Sequence, residues 1–96
     1  MIHEIRFTSE AREHLSALRA RERKMVLAGI ERALSYEPIR ETRNVKMLRP
    51  NPLSRYELRV GSFRVFFDVL ETAREVLILA VGKKEGIFIA GKETRL

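Results

Sequence analysis

Residues 55 to 68, RYELRVGSFRVFFD, constrain the fold more than any other stretch of the chain. Tyr56, Leu58 and Val60 alternate with Arg55, Glu57 and Arg59, the two-residue period of a strand with one buried face. Gly61-Ser62 interrupts the run, and Phe63, Val65, Phe67 and Val69 resume it. A two-residue loop with glycine first suits a type II′ hairpin, whose first loop position needs a positive φ. That loop predicts a register with Val60 opposite Phe63, Leu58 opposite Val65 and Tyr56 opposite Phe67. On the other face the same register sets Arg59 directly across from Arg64. Facing like charges destabilise a strand pair by roughly 0.2–1 kcal/mol. The two arginines therefore read as an anion site, and removal of Arg64 is expected to leave the fold intact.

The remaining elements follow in chain order. Ile2 to Phe7 reads as a first strand with Ile2 facing inward. Thr8 or Ser9 supplies an N-cap oxygen, and Glu10 and Glu13 sit in the first helical turn, where the helix dipole favours them. Ala11, Leu15 and Leu18 recur at helical spacing, and Met25, Val26, Gly29, Ile30, Ala33 and Leu34 continue the stripe. One helix from Ser9 to Tyr36 would be about 40 Å long, more than the width of so small a domain. The charged stretch RARERK, with Ala20 its one apolar residue, places the break at Arg19 to Arg23 and makes a helical hairpin. Pro38 ends the second helix at Glu37. Ile39 to Ser54 is irregular, with Asn51 between Pro50 and Pro52 marking a turn and Val45, Met47 and Leu48 tacking the segment to the core. Glu71 to Arg74 is a polar turn, and Glu75 to Lys83 is a strand apolar on both faces, as in a sheet interior. The predicted fold is α+β, one domain over residues 1–96: an N-terminal strand, a helical hairpin, then an antiparallel three-stranded meander, with both helices on one sheet face. Which strand the first one pairs with is not readable.

With Leu70 set opposite Glu75, the register sorts side chains into two faces. Tyr56, Leu58, Val60, Phe63, Val65, Phe67, Val69, Val76, Ile78 and Ala80 are expected beneath the helices. Arg55, Glu57, Arg59, Arg64 and Lys83 are expected on the reverse face, with Asp68 across from Arg55. Phe66, Leu77, Leu79 and Val81 join them there. An apolar cluster of that size beside cations marks a partner-binding surface centred on Phe66, Leu77 and Leu79, unless residues 87–90 fold over it.

Charge narrows the classes of partner. Residues 39 to 66 carry seven basic residues against two acidic ones, which is +5 of the net +6. A basic stripe within one segment is the electrostatic footprint of a polyanion. The 96 residues contain no cysteine, so disulfides and thiolate metal sites are excluded. His3 and His14 have no acidic residues at ligand spacing, so surface or packing roles are expected and no metal or other cofactor. Ser54 and Ser62 lack a His–Asp partner pattern, and Gly82 and Gly86 do not have phosphate-loop spacing. No apolar run approaches the roughly 20 residues of a membrane span, and MIHEIRF is not a signal peptide, so a soluble cytoplasmic protein is expected.

The pattern NVKMLRPNPLSRYELRVGSFRVFFDV, followed by a strand ending AVGKKE, resembles the RelE/ParE superfamily of bacterial type II toxins. The resemblance covers nearly the whole chain. It implies a helical hairpin, a basic loop, a hairpin of Tyr-x-Leu-Arg-Val and Phe-Arg-Val type, and a third strand ending in Val-Gly before basic residues. In that superfamily the RelE branch cleaves messenger RNA in the ribosomal decoding site, the ParE branch poisons DNA gyrase, and a small antitoxin neutralises either. Arg64 matches the arginine after the aromatic of the second hairpin strand, and Lys84 matches the basic position after Val-Gly-basic.

For the RelE branch the resemblance implies a metal-independent endoribonuclease. Arg59 and Arg64 would stabilise the phosphorane charge, and Lys84, its pKa lowered by neighbouring cations, would take the 2′-hydroxyl proton. Lys46, Arg49, Arg55, Lys83 and Phe88 would bind RNA. Two residues depart from the pattern. Glu57 stands where such nucleases commonly place a lysine and is expected to pair with a neighbouring arginine. Phe88 is the nearest counterpart of a C-terminal stacking tyrosine. The expected partners are an acidic antitoxin and the ribosome with its mRNA. The alternatives are DNA gyrase as target, or a non-catalytic RNA- or protein-binding module on the same scaffold.

Overall fold

The computed structural model describes residues 2–40 and 42–83, together with the backbone of 88–89 and 92–93. Strand β1 (Glu4–Phe7) leads into helices α1 (Ser9–Ser16) and α2 (Ala20–Leu34). Strands β2 (Val45–Met47), β3 (Tyr56–Val60), β4 (Phe63–Leu70) and β5 (Glu75–Lys83) follow. These five strands form one sheet in the order β1-β5-β4-β3-β2. β1 runs parallel to β5, which supplies the pairing that the sequence left open, and the other pairs are antiparallel. Short strands β6 (Phe88–Ile89) and β7 (Lys92–Glu93) pair separately. Both helices lie on one face, α1 over β5 and α2 over β3. Their buried side chains, among them Ala11, Leu15, Val26, Ile30 and Leu34, meet Leu58, Phe63, Val65, Phe67, Val76 and Ile78. No described helix is long and apolar enough to cross a membrane.

Local chemistry sets the element boundaries. Thr8 caps α1 by accepting the Ala11 N–H at 3.1 Å. The helical break falls at Ala17 to Arg19, earlier than predicted, because the charged stretch forms the first turn of α2 instead of the hinge. The Glu22 carboxylate accepts the Arg19 N–H at 3.3 Å and starts the second helix. Arg23 reaches back, Nε to the Leu15 carbonyl (3.1 Å) and Nη2 to the Leu18 carbonyl (3.0 Å), and satisfies acceptors freed where α1 ends. α2 stops at Leu34, short of the predicted Glu37, with the Ser35 hydroxyl donating to the Glu31 carbonyl at 2.6 Å.

Three expectations are corrected at the sheet margins. Ile2 does not face inward; it is 67% exposed, because β1 begins only at Glu4 and buries Ile5 and Phe7 against the core instead. The stretch expected to be irregular contains the edge strand β2, with Val45 buried opposite Leu58. Met47 does not tack it down: it is 62% exposed on that edge, beyond the strands that the helices cover.

The hairpin has the predicted register, from Tyr56 opposite Phe67 to Val60 opposite Phe63, with Arg59 opposite Arg64. Gly61 takes φ 58°, as the first position of a type II′ turn requires. β5 departs from strict alternation. Leu70 lies opposite Glu75 as expected, but the register shifts between Phe66 and Phe67, so that Phe67 faces Ile78 and Phe66 faces Ala80. Leu79 is the extra residue of this bulge. Just there β1 has ended, and α1 takes over the free edge of β5. Thr8 donates from its N–H to the Ile78 carbonyl (3.0 Å) and from Oγ1 to the Leu79 carbonyl (3.2 Å), and His14 Nδ1 accepts the Val81 N–H (3.2 Å). An extra residue reverses every side chain beyond it. Ala80 therefore moves to the far face, Val81 joins the core, and Lys83 passes to the helix side opposite Phe63.

Candidate nucleic-acid interface

The face turned away from the helices is built from two cross-strand rows and an adjoining loop. The first row runs Arg59, Arg64, Gly82, and the second Lys46, Glu57, Phe66, Ala80. Beside them Asp68, opposite Leu77, accepts the backbone N–H of Arg55 at 2.6 Å. Arg59, Lys46 and Arg55 are exposed, as are Arg43 and Arg49 on the segments flanking β2. The basic segment thus becomes a cationic margin along β2 and β3.

Arg64 does not belong to that exposed set. Its side chain is 7% exposed, and Nε lies 3.1 Å from Oε1 of Glu57, itself 11% exposed. Nη1 donates to the Gly61 carbonyl (3.1 Å) and the Phe63 carbonyl (2.9 Å), tying the guanidinium to the hairpin turn. The sequence reading of two bare arginines facing each other is corrected here: Arg59 turns to solvent, while Arg64 is neutralised by Glu57 from the neighbouring row. Removing Arg64 would strand a buried carboxylate, so its loss is no longer expected to spare the fold.

Lys83 is also relocated. The bulge carries it to the helix side, where Nζ sits 5.7 Å above the Phe63 ring and 3.9 Å from the Glu22 carboxylate. It is separated by the sheet from Lys46, Arg55 and Arg59. Phe66 is fully buried and Ala80 nearly so, covered within the chain itself, so Phe66 is not available to a partner. β6 lies against β5 on that strand. Leu77 and Leu79 remain half-buried. Lys84 lies outside the described residues, and for Phe88 only the backbone, in β6, is described.

Asn51 is the organising residue that sequence reading underused. Its Nδ2 donates to the Arg49 carbonyl (2.8 Å) and the Ser54 carbonyl (2.9 Å), and its Oδ1 accepts from the Leu53 N–H (2.8 Å) and the Ser54 N–H (3.1 Å). Four bonds from one side chain fix the loop between β2 and β3 and hold Arg49 and Arg55 at the rim of a groove of about 530 Å³. Asn between two prolines was the visible signal; an Asx turn is its physical content. The histidines lie elsewhere. His14, in the last turn of α1, turns toward β5, where burial lowers its pKa and Nδ1 accepts from the Val81 N–H. Among the described residues no cluster of His, Cys, Asp or Glu is placed to hold a metal.

Comparison with known proteins adds the lineage. No family model matches the chain, and no curated protein matches it. Among solved structures, the RelBE2 toxin–antitoxin complex from Mycobacterium tuberculosis matches at 28% identity and a TM-score of 0.75, over 88% of this chain and 100% of that one. This match supports the RelE toxin superfamily, the resemblance that the sequence pattern carries. An archaeal RelE–RelB complex from Pyrococcus horikoshii repeats the fold at 21% identity and a TM-score of 0.70, over 88% of this chain and 97% of that one.

On this RelE-like fold the protein presents three exposed cations, Lys46, Arg55 and Arg59, on one sheet face. Such an array suits a phosphate backbone, since guanidinium and ammonium groups at a solvent margin attract polyanions without requiring a deep pocket. It holds its hairpin arginine, Arg64, inside the sheet and spends that charge on Glu57.

Proposed function

We propose that this protein is the toxin of a type II toxin–antitoxin pair and inhibits translation in the cytoplasm as a RelE-like, ribosome-dependent mRNA endoribonuclease. The observation that carries the reading is the joint exposure of Lys46, Arg55 and Arg59 on the face away from the helices, on a chain whose solved neighbour is a toxin–antitoxin complex. In this reading the three cations and Arg49 grip the RNA backbone, and Arg59 faces the scissile phosphate. Lys84, next in sequence after β5, takes the 2′-hydroxyl proton. Arg64 braces the hairpin that carries Arg59. The proposed partner is an acidic antitoxin that covers the basic face together with Leu77 and Leu79.

One observation favours a second reading. With Arg64 neutralised by Glu57, only Arg59 of the hairpin pair remains for charge stabilisation, which suits a binding function: a ParE-like gyrase inhibitor, or a non-catalytic module that grips RNA or protein. Induced expression separates these classes. Growth arrest relieved by co-expression of a neighbouring acidic gene product supports the toxin, whereas unimpaired growth supports the inert module. Arrest with DNA damage and intact transcripts selects the gyrase reading.

A further inference from the structure

Glu57 is a buried carboxylate amid four cations. Lys46 lies opposite it on β2, and Arg55 and Arg59 flank it along β3 on the same face. Arg64 touches it at 3.1 Å from β4. Gly82, directly across from Arg64, places no side chain over that part of the sheet. Arg64 keeps Nη1 on the Gly61 and Phe63 carbonyls, so its position is fixed by the hairpin and does not depend on Glu57 alone. A guanidinium fixed by the hairpin turn, buried, ringed by cations and neutralised by one carboxylate, has the makings of an oxyanion site.

We propose that Glu57 is a built-in anion: it occupies a phosphate-sized site made by Arg64, with Lys46 and Arg59 at the rim, and keeps that site closed in the free protein. The ligand class is a tetrahedral phosphate oxyanion, either the free ion or a phosphodiester of a nucleic-acid strand. The carboxylate supplies the charge that the buried guanidinium needs for folding, and the same contact excludes a competing anion. The inference is independent of the target named above, since it concerns which anion Arg64 holds.

The test is anion rescue of Glu57→Gln. Thermal melting is followed from 0 to about 50 mM inorganic phosphate, with sodium chloride holding ionic strength constant. The native protein should show no phosphate-specific shift. Glu57→Gln should melt well below it in chloride and recover roughly 5 °C or more in phosphate, if 50 mM is about ten times the dissociation constant. The Glu57→Gln/Arg64→Gln double variant, which lacks the site, should show no such recovery. Short single-stranded RNA at equal phosphate concentration is the second arm. Recovery by both assigns phosphodiesters to the site, and recovery by inorganic phosphate alone restricts it to the free ion. A Glu57→Gln chain equally unstable, or equally unfolded, in phosphate and in chloride overturns the proposal, as does equal recovery in the double variant.

Discussion

Arg64→Gln puts the central ion pair to a quantitative test. The substitution removes a guanidinium that is 7% exposed and leaves the Glu57 carboxylate, 11% exposed, without its nearest cation. Breaking a buried pair from one side costs roughly 3–5 kcal/mol. Relief of the repulsion between Arg59 and Arg64 returns at most about 1 kcal/mol. The net loss is then roughly 2–5 kcal/mol, a large share of the roughly 5–15 kcal/mol of a typical domain. In melting temperature it amounts to a fall of roughly 8–40 °C. Urea unfolding of the single variants Arg64→Gln and Glu57→Gln and of the double variant closes the cycle. The double variant should be less destabilised than the sum of the singles by at least about 1.5 kcal/mol, since it strands neither charge. An Arg64→Gln midpoint indistinguishable from the native one would refute the buried pair. So would simple additivity of the two singles.

Three further outcomes follow from the packing. Gly29→Ala gains about 1 kcal/mol of helix propensity, yet its Cβ would lie 2.9 Å from both Val60 methyl carbons, so urea unfolding should show a net loss of roughly 1–2 kcal/mol. Asn51→Ala removes four hydrogen bonds from the β2–β3 loop and should cost roughly 1–3 kcal/mol. It should also weaken RNA binding, measured by fluorescence anisotropy, because Arg49 and Arg55 lose their support. Burial holds the His14 pKa below its ordinary value of 6.5, so the unfolded chain takes up that proton more readily. His14 should therefore contribute its full stability above about pH 6.5 and lose it as pH falls from there toward the folded-state pKa. His14→Gln should flatten that part of the native urea-midpoint profile between pH 7.5 and 5.5.

Local pattern made the hairpin legible to the residue. Alternation and Gly61-Ser62 specify one register, and a slip by one residue would expose every apolar side chain of the pair. The strand Glu75–Lys83 was equally legible in extent, but not in the facing of its second half. No glycine or proline marks the bulge at Leu79. It is set by Thr8 and His14, about 70 residues earlier, which take the free edge of β5. That non-local contact moved Lys83 off the basic face and exchanged Ala80 with Val81. The pairing of Arg64 with Glu57 was half legible. The sequence shows Glu57 among arginines, but alternation alone gives Arg59 and Glu57 equal claims on Arg64. The Arg64 side chain can reach diagonally to the next row, where an opposite charge attracts it and the directly facing arginine repels it. Arg23, read as part of a hinge, proved to be the tie across it, because its long side chain reaches carbonyls five and eight residues back.

The most direct measurement of the proposed function is primer extension on a defined mRNA in a reconstituted translation reaction, with and without ribosomes. The account predicts new 5′ ends inside the reading frame only when ribosomes are present. They should be abolished by Arg59→Ala, whose exposed side chain carries little of the fold, while gyrase supercoiling in a parallel reaction stays unchanged. Intact transcripts alongside lost supercoiling, or cleavage undiminished in Arg59→Ala, would contradict it.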